Sequence, residues 1–595
     1  MQELFIVAAL DVLPAGGGLS WVRNRLSGKA ELLEDSLSAL IPHLAAWRTL
    51  EGHADALGSL GIGGRGNSMI AGALQELNAQ GFLISDSQFR NSLGSQKKRA
   101  RAGISSLSWC TRDRPEELKR SVGHYLKTAP AAGKAASMYV FDDSAEAAAR
   151  TANRDALRGL SPSIRYMGVE QKKAFAQQIA KAGDGIDPET ISFALFGLPE
   201  CGVTIGANHN ACLLATVGER MLSCDDDTLF DFVRSSGGAT GVALSAVLDS
   251  TEYSFFKDEN AMLQSVSPEH PNLLALHAEV LGSSVGECLA RDAAQISLEN
   301  CSAGMVHALM TEGGVVAATS VGVLGDSGLE SERYLLMLPD ASRERLLASE
   351  PLYRAAAENR LMHRAAPRTT ISGGAYFQAM CVALDNSLDL PPFFPLGRNC
   401  DGVFAQTLRS CFPDHYIAHL PWAIRHMPPG HRAGGHEQVV DFVLHLTEIM
   451  NLLLVTFEGM SRDAAGSDRL YEAAGFFQDL SSLGDADFLE YLRSRYMPHL
   501  SRHVEYLDGL LQIYRGQPDF WARDVESHIV KLQDLPMAPD FCIPVDLRQG
   551  RADSEAVGLT RQIVGVFGNL LEAWPEIRAA AFSLREEGKE AFVAV

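Results

Sequence analysis

Residues 206–228, Gly-Ala-Asn-His-Asn-Ala-Cys-Leu-Leu-Ala-Thr-Val-Gly-Glu-Arg-Met-Leu-Ser-Cys-Asp-Asp-Asp-Thr, constrain the fold more than any other stretch of the chain. Apolar Ala211, Leu214, Ala215 and Val217 suit a helix with Asn208 near its start, and Gly218 ends it, as a glycine just past a last turn commonly does. Met221 and Leu222 open a short buried strand that runs into Asp225, Asp226 and Asp227. Three adjacent carboxylates at a strand end repel one another, so folding alone does not favour them. A divalent cation relieves that repulsion, and hard oxygen ligands select Mg²⁺ or Mn²⁺ over zinc or copper. Such an ion, still part-hydrated, commonly holds the phosphates of a nucleotide. The competing reading is a solvated acidic turn or a helix cap, because Asp is frequent at strand-to-helix junctions.

The surrounding chain alternates strand and helix. A strand over 104–110 ends at Thr111-Arg-Asp-Arg-Pro115, and Pro115 opens a helix through Tyr125. A second strand over 136–141 ends at Asp142-Asp143-Ser144. This βαβ order predicts parallel strands with ligands at their carboxyl ends. Asp142 reads either as a ligand contact or as a cap on the following helix. Asp401, ahead of a helical run over 403–408, has the same two readings. His426, in His-Met-Pro-Pro-Gly, reads as a ligand or as a loop histidine bonded to backbone.

In their order these motifs resemble a GT-A-fold glycosyltransferase of the large inverting family 2, an α/β class with a Rossmann-like core. Thr111, Arg114 and Pro115 match a Thr-x-x-Arg-Pro strand end, and Asp142-Asp143-Ser144 match Asp-Asp-x-Ser. Residues 206–210 match a Gly-Ala-Asn-Arg-Asn helix that leads to an Asp-x-Asp strand at 225–227. Asn399-Cys-Asp401 stands where an acidic pair opens a helix, and Ile424-Arg-His426 closes the next strand. His209 replaces the family's Arg, and Cys400 replaces its Glu, which leaves Asp401 as the lone carboxylate there. The resemblance covers about residues 104–432, with spacings that suggest largely helical insertions near 155–195 and 229–365.

What it implies is transfer of a sugar from a nucleoside diphosphate sugar. Thr111, Arg114, Asp142, Asp143, Asn208, His209, Asn210, Asp226 and the glycines of Ser372-Gly373-Gly374-Ala375 would contact the donor. Asp225, Asp227 and His426 would hold Mn²⁺ or Mg²⁺, and Asp401 would be the catalytic base.

Residues 1–95 read as a separate winged-helix-like unit: strands over 4–13 and 19–25, helices over 31–47, 50–60 and 68–78, then a short strand at 81–84. This pattern resembles the elements that tether ribosomally made precursor peptides to their modifying enzymes by adding the peptide as an extra strand. Peptide acceptors modified on Ser, Thr or Cys are therefore expected. Polysaccharide, lipid and small-metabolite acceptors are the alternatives, as is a degenerate, non-catalytic peptide-binding homologue. A Gly-x-Gly-x-x-Gly string at Gly61, Gly63 and Gly66 follows a helix rather than a strand, so it reads as a loop.

Residues 86–102 suggest a linker. Residues 433–595 carry helical periodicity over 439–455, 470–477, 488–496, 503–514 and 557–574, with an irregular crossing at 535–550, and predict an all-α domain. With 595 residues the chain exceeds a single core. A formal net charge of −21 argues against a nucleic-acid partner, and the basic runs Lys97-Lys98-Arg99 with Arg101 and Lys172-Lys173 read as solvated. Ten scattered cysteines suggest no disulfide framework, and no apolar run reaches membrane-spanning length. The expectation is a cytoplasmic protein.

Overall fold

The computed structural model describes residues 2–595 except 62–66, 95–98, 100–101, 130–135, 184, 236, 293–294, 375, 431–433, 461–464 and 590. Gly63, Gly66, Lys97, Lys98, Arg101 and Ala375 fall outside the described residues.

The chain opens with β1 (Phe5–Val7), followed by a three-stranded antiparallel sheet of β2 (Leu10–Gly16), β3 (Leu19–Asn24) and β4 (Ala30–Glu34). Four helical segments follow, Asp35–Ser38, Ile41–Leu44, Leu50–Ser59 and Asn67–Ala79, and then β5 (Leu83–Ser85) pairs with β1. Val22, Leu33, Leu44, Leu57, Leu74, Leu77 and Phe82 form a core of their own. Residues 31–47 are not one helix. Ser20 and Trp21 of β3 pair with Leu33 and Leu32, which alternates those leucines across a sheet. Pro42 then confines the next turn to a 3₁₀ segment. Nor is 86–102 merely a linker, since Asp86–Gly94 is a helix that buries Phe89 and Leu93.

The rest of the chain is a mixed α/β assembly around one large sheet with a parallel core. Its central strands are β6 (Ser106–Thr111), β7 (Ser137–Asp142), β8 (Ile164–Met167) and β9 (Arg220–Asp225), ordered β8-β7-β6-β9 and all parallel. These strands are buried almost throughout, as expected where helices cover both faces of a parallel sheet. The helix Pro115–Thr128, entered through Pro115, buries Leu118, Val122 and Tyr125 at i, i+4 and i+7. Each such side chain contributes about 1.5–3 kcal/mol relative to exposure.

Further along come β10 (Thr228–Arg234), β11 (Val242–Ser245), β12 (Glu252–Phe255), β13 (Ile296–Asn300), β14 (Val315–Asp326), β15 (Leu361–Ala365), β16 (Thr369–Ser372), β17 (Cys381–Asp385) and β18 (His415–His426). Strand β17 joins β9 antiparallel, and β14 lies between β17 and its parallel neighbour β18. Residues 229–365 thus contribute strands to the sheet as well as the expected helices, and 155–195, helical apart from β8, extends the parallel sheet by that strand. Several of these strands are only four or five residues long, too short for periodicity to separate them from helix.

The C-terminal region is helical, as expected, but with longer elements. One helix, Asp485–Ile513, spans two of the predicted segments, and Asp553–Glu586 runs 34 residues, about 50 Å. This last helix packs on Ser467–Ser481 and on Val169–Ala182, Pro188–Phe196 and Ile205–Ala215. Its Trp574 indole donates to the Leu390 carbonyl at 2.7 Å, and buried Arg578 donates to Asn386 Oδ1 at 2.8 Å. The helical region is continuous with the main core. The closing β19 (Val593–Ala594) pairs with β8. No helix among the described residues is long and apolar enough to cross a membrane.

Candidate functional site

Parallel register brings three motif ends together: Thr111 stands opposite Asp142, and the preceding Cys110 stands opposite Asp225. Gly218, at φ +86°, ends the Ile205–Ala215 helix region and turns the chain into β9. Beyond Asp225 the chain turns over Asp226 and Asp227 into β10, whose Thr228 pairs with His426 at the end of β18.

The acidic turn is held by named partners. The Thr111 hydroxyl donates to Asp226 Oδ2 at 2.7 Å. Arg114 Nη1 bridges Asp226 Oδ1 at 3.1 Å and Asp227 Oδ2 at 2.8 Å. His426 Nδ1 lies 2.8 Å from the Asp326 carbonyl, which can only accept, so this nitrogen carries a proton and Nε2 faces Asp227 Oδ1 at 3.3 Å. Buried Asp227 Oδ1 nonetheless has no hydrogen bond of good geometry. Asp401, in the first turn of the helix Cys400–Cys411, accepts from the Ala379 N–H at 3.1 Å and from the Gly402 N–H at 3.0 Å. The residue after Ala379 closes the circuit: the Met380 carbonyl accepts from the Asp225 N–H at 3.0 Å. One short segment thus ties Asp401 to Asp225.

Four carboxylates in this cluster face two cationic side chains, and acid strengths follow. Burial, then Asp227 and its neighbours, push Asp225 and Asp226 up to about 7. Asp227 goes the other way: burial raises it, but His426 and Arg114 together hold it well below the usual carboxylate range. Burial opposes charge on His426, yet Asp227 raises it to about 9. Burial also raises Asp401, against the pull of the Ala379 and Gly402 amides.

These residues fit a hard divalent cation in part. The histidine's Nδ1–H is fixed on a carbonyl, the arrangement that aims the other ring nitrogen at a metal, and buried Asp227 Oδ1 lies 3.3 Å from that nitrogen. Among the described residues no group of three or more His, Cys, Asp or Glu side chains is disposed as a complete chelate. Mg²⁺-type ions commonly take only one or two protein ligands, with water and substrate phosphates completing the shell.

Several residues expected to contact the donor have hydrogen-bond partners within the protein. Asp142 is fully buried; it accepts from the Ser144 N–H at 2.8 Å, Asn153 Nδ2 at 2.9 Å and the Tyr166 hydroxyl at 2.6 Å. Asn208 donates to the Phe141 carbonyl at 2.9 Å, and Asn210 bonds the Ala194 and Phe393 carbonyls and the Phe393 N–H. His209 stacks on Phe393, 4.8 Å between centroids, and burial lowers it to about 4. These four side chains, buried to the same degree as Asp226, Asp227 and His426, hold a helix against the strands of the sheet. Gly206 belongs to the same packing, since a Cβ there would meet the Phe394 carbonyl oxygen at 1.9 Å. Gly373 and Gly374 follow β16, and a Cβ on Gly374 would lie 2.5 Å from the Val247 carbonyl oxygen.

Lys172 was missed. Read as solvated, it is instead fully buried, with Nζ 2.6 Å from Asp143 Oδ1 and 3.1 Å from Asn208 Oδ1. Asp143 Oδ2 also accepts from the Thr204 hydroxyl. The signal was present in the spacing, because Lys172 shares the buried face of its helix with Phe175 and Ile179 at i+3 and i+7.

Comparison with protein-family models finds no match to the chain, and comparison with curated proteins finds none either.

Proposed function

We propose that the chain is a metal-dependent inverting glycosyltransferase that moves a sugar from a nucleoside diphosphate to an acceptor nucleophile. The observation that carries this reading is convergence. Asp225 at the end of β9, Asp226 and Asp227 just beyond it, Asp401 at a helix start, His426 at the end of β18 and Arg114 after β6 meet at the carboxyl ends of β6 and β9. That end of an open α/β sheet is where ligands bind.

In this reading His426 and Asp227 would hold Mn²⁺ or Mg²⁺, which would supply Lewis acidity toward the diphosphate. Arg114 adds a fixed positive charge on the same side. Asp401, made more basic by burial, takes the acceptor's proton as its O, S or N atom attacks the anomeric carbon. The bond from that carbon to the diphosphate oxygen breaks, the diphosphate leaves with the electron pair, and configuration inverts. General-base help of this kind is worth roughly 10²–10⁴-fold. Asp142, Asn208, His209 and Asn210 support the site from behind.

For the acceptor we propose a ribosomally made peptide. Leu13, Trp21 and Leu32 face one another across β2, β3 and β4, and they stand 65%, 51% and 44% exposed. An apolar row on the open face of a sheet with two terminal strands suits an added peptide strand.

Asp401→Asn is expected to keep donor affinity by calorimetry and lose transfer by roughly 10²–10⁴-fold. Loss of donor binding in that variant would remove Asp401 from the base role. Asp227→Ala is expected to abolish Mn²⁺-dependent donor binding; full activity of the wild type in excess chelator would end the metal reading.

A further inference from the structure

The peptide unit between Asp326 and Ser327 is held from both sides. Its carbonyl accepts from His426 Nδ1 at 2.8 Å, and its N–H donates to the Arg360 carbonyl at 3.0 Å. Because a peptide is planar, fixing the N–H also fixes the direction in which the carbonyl points. Arg360 grips the same residue with its side chain. Its Nε donates to Asp326 Oδ2 at 3.2 Å, its Nη1 to Glu332 Oε1 at 2.8 Å, and its Nη2 to the Leu329 carbonyl. Asp326 Oδ1 in turn accepts from the Gly328 N–H at 2.8 Å. The chain leaving β14 is thereby drawn against the histidine: a Cβ built on Gly328 would stand 3.5 Å from His426 Cε1. Gln378 Nε2 donates to the Ser327 carbonyl at 3.0 Å, one residue before Ala379, the donor to Asp401.

Arg360 is an unexpected residue for its place. It follows the last turn of the helix Glu350–Asn359 at φ +61°, where glycine commonly stands, and it is buried between two buried carboxylates. An arginine in that conformation carries strain that its surroundings must offset. A buried ionic set is weak evidence for stability, because desolvation opposes the attraction. Here it fixes a geometry, since both ends of Arg360, carbonyl and guanidinium, close on the one residue that bonds His426.

Resting on the metal reading above, we infer that Arg360 is a positioning residue for His426. Acting through the Asp326–Ser327 peptide, it keeps the carbonyl on Nδ1–H and so keeps Nε2 as the nitrogen turned toward Asp227 and a bound cation. A neutral imidazole ligates only through the nitrogen that carries no proton, and the hydrogen bond at the other nitrogen decides which one that is. A carbonyl free to swing away would let the ring turn and exchange tautomers, and Nε2 would be a ligand for only part of the time.

The test uses the full chain and Mn²⁺, titrated alone and with pyrophosphate. Free Mn²⁺ is read by EPR, and coupling to an imidazole nitrogen by pulsed EPR. The wild type is expected to show that coupling and His426→Gln to lack it. Arg360→Met and Asp326→Asn should each weaken Mn²⁺ binding about 10–100-fold and diminish the coupling, as is usual when a group that orients a metal-ligating histidine is lost. Arg360→Lys keeps the charge without the fork and should recover part of the loss; it and Asp326→Asn carry the test if Arg360→Met does not fold. For comparison, Arg220→Met breaks a buried pair with Asp385, 3.1 Å long, at the opposite end of β9 from Asp225, and should bind Mn²⁺ as the wild type does. Folded Arg360 and Asp326 variants with unchanged affinity and coupling would overturn the inference, and so would an equal loss in Arg220→Met. Those outcomes leave the metal reading standing. If the wild type binds no Mn²⁺ under either condition, the metal reading fails and this inference falls with it.

Discussion

His426 and Asp227 form a buried pair whose two protonation equilibria move in opposite directions. His426 rises from its ordinary 6.5 to about 9, so its contribution to stability is fully present below pH 6.5 and is lost as pH rises through 9. Asp227 is depressed, so its contribution is present above 3.8 and is lost as pH falls through the folded value. The metal-free protein should therefore lose Tm between pH 7 and about 10, and His426→Asn should flatten that limb; an unchanged limb would show that another group carries it. Asp225 and Asp226 behave in the reverse sense. Pushed up to about 7, they hold their protons more tightly when folded, so stability declines as pH rises from 3.8 through 7. On the metal reading Mn²⁺ should raise Tm more at pH 8 than at pH 6, as measured by scanning calorimetry. The triplet and its need for positive charge were legible in the sequence. That Arg114 and Thr111 would clamp it was not, because that depends on how β6 and β9 lie side by side.

At the scale of single elements, the helix Val169–Ala182 carries the residue whose surroundings the sequence hid. Lys172 lies among apolar neighbours with Asp143 as its counter-charge. Removing one partner of such a pair strands a buried charge, so Lys172→Met should destabilise the protein by about 3–5 kcal/mol in urea unfolding. Adding Asp143→Asn should recover most of that loss; a double variant no better than Lys172→Met would mean that packing dominates. The helices announced themselves where they were long and amphipathic, as in Pro115–Thr128 and the C-terminal segments. Strands such as β11, β12 and β16 did not, because four residues carry too little alternation to outweigh a helical reading.

Across the whole molecule, the long helix Asp553–Glu586 fastens the C-terminal region to the back of the parallel sheet, while the first unit keeps a core of its own. Trp47 connects that unit to the main body through its indole, which donates to the Cys301 carbonyl at 3.1 Å. Because Trp21 projects from the sheet, Trp21→Ser should leave Tm nearly unchanged. It should weaken binding of a fluorescent precursor peptide to the full chain and raise KM for that peptide without lowering donor affinity. An undiminished peptide affinity would turn attention to polysaccharide, lipid or small-metabolite acceptors.

By itself the sequence determined that strands alternate with helices from about residue 104 to 228, that those strands end in carboxylates, and that a helical region closes the chain. Those features are written in local spacing and side-chain chemistry. Only the tertiary structure decided which carboxylates meet. Strand register and helix packing, which no local pattern encodes, drew Asp225, Asp227, Asp401 and His426 together and buried Asp142, Asn208, His209 and Asn210 against their neighbours.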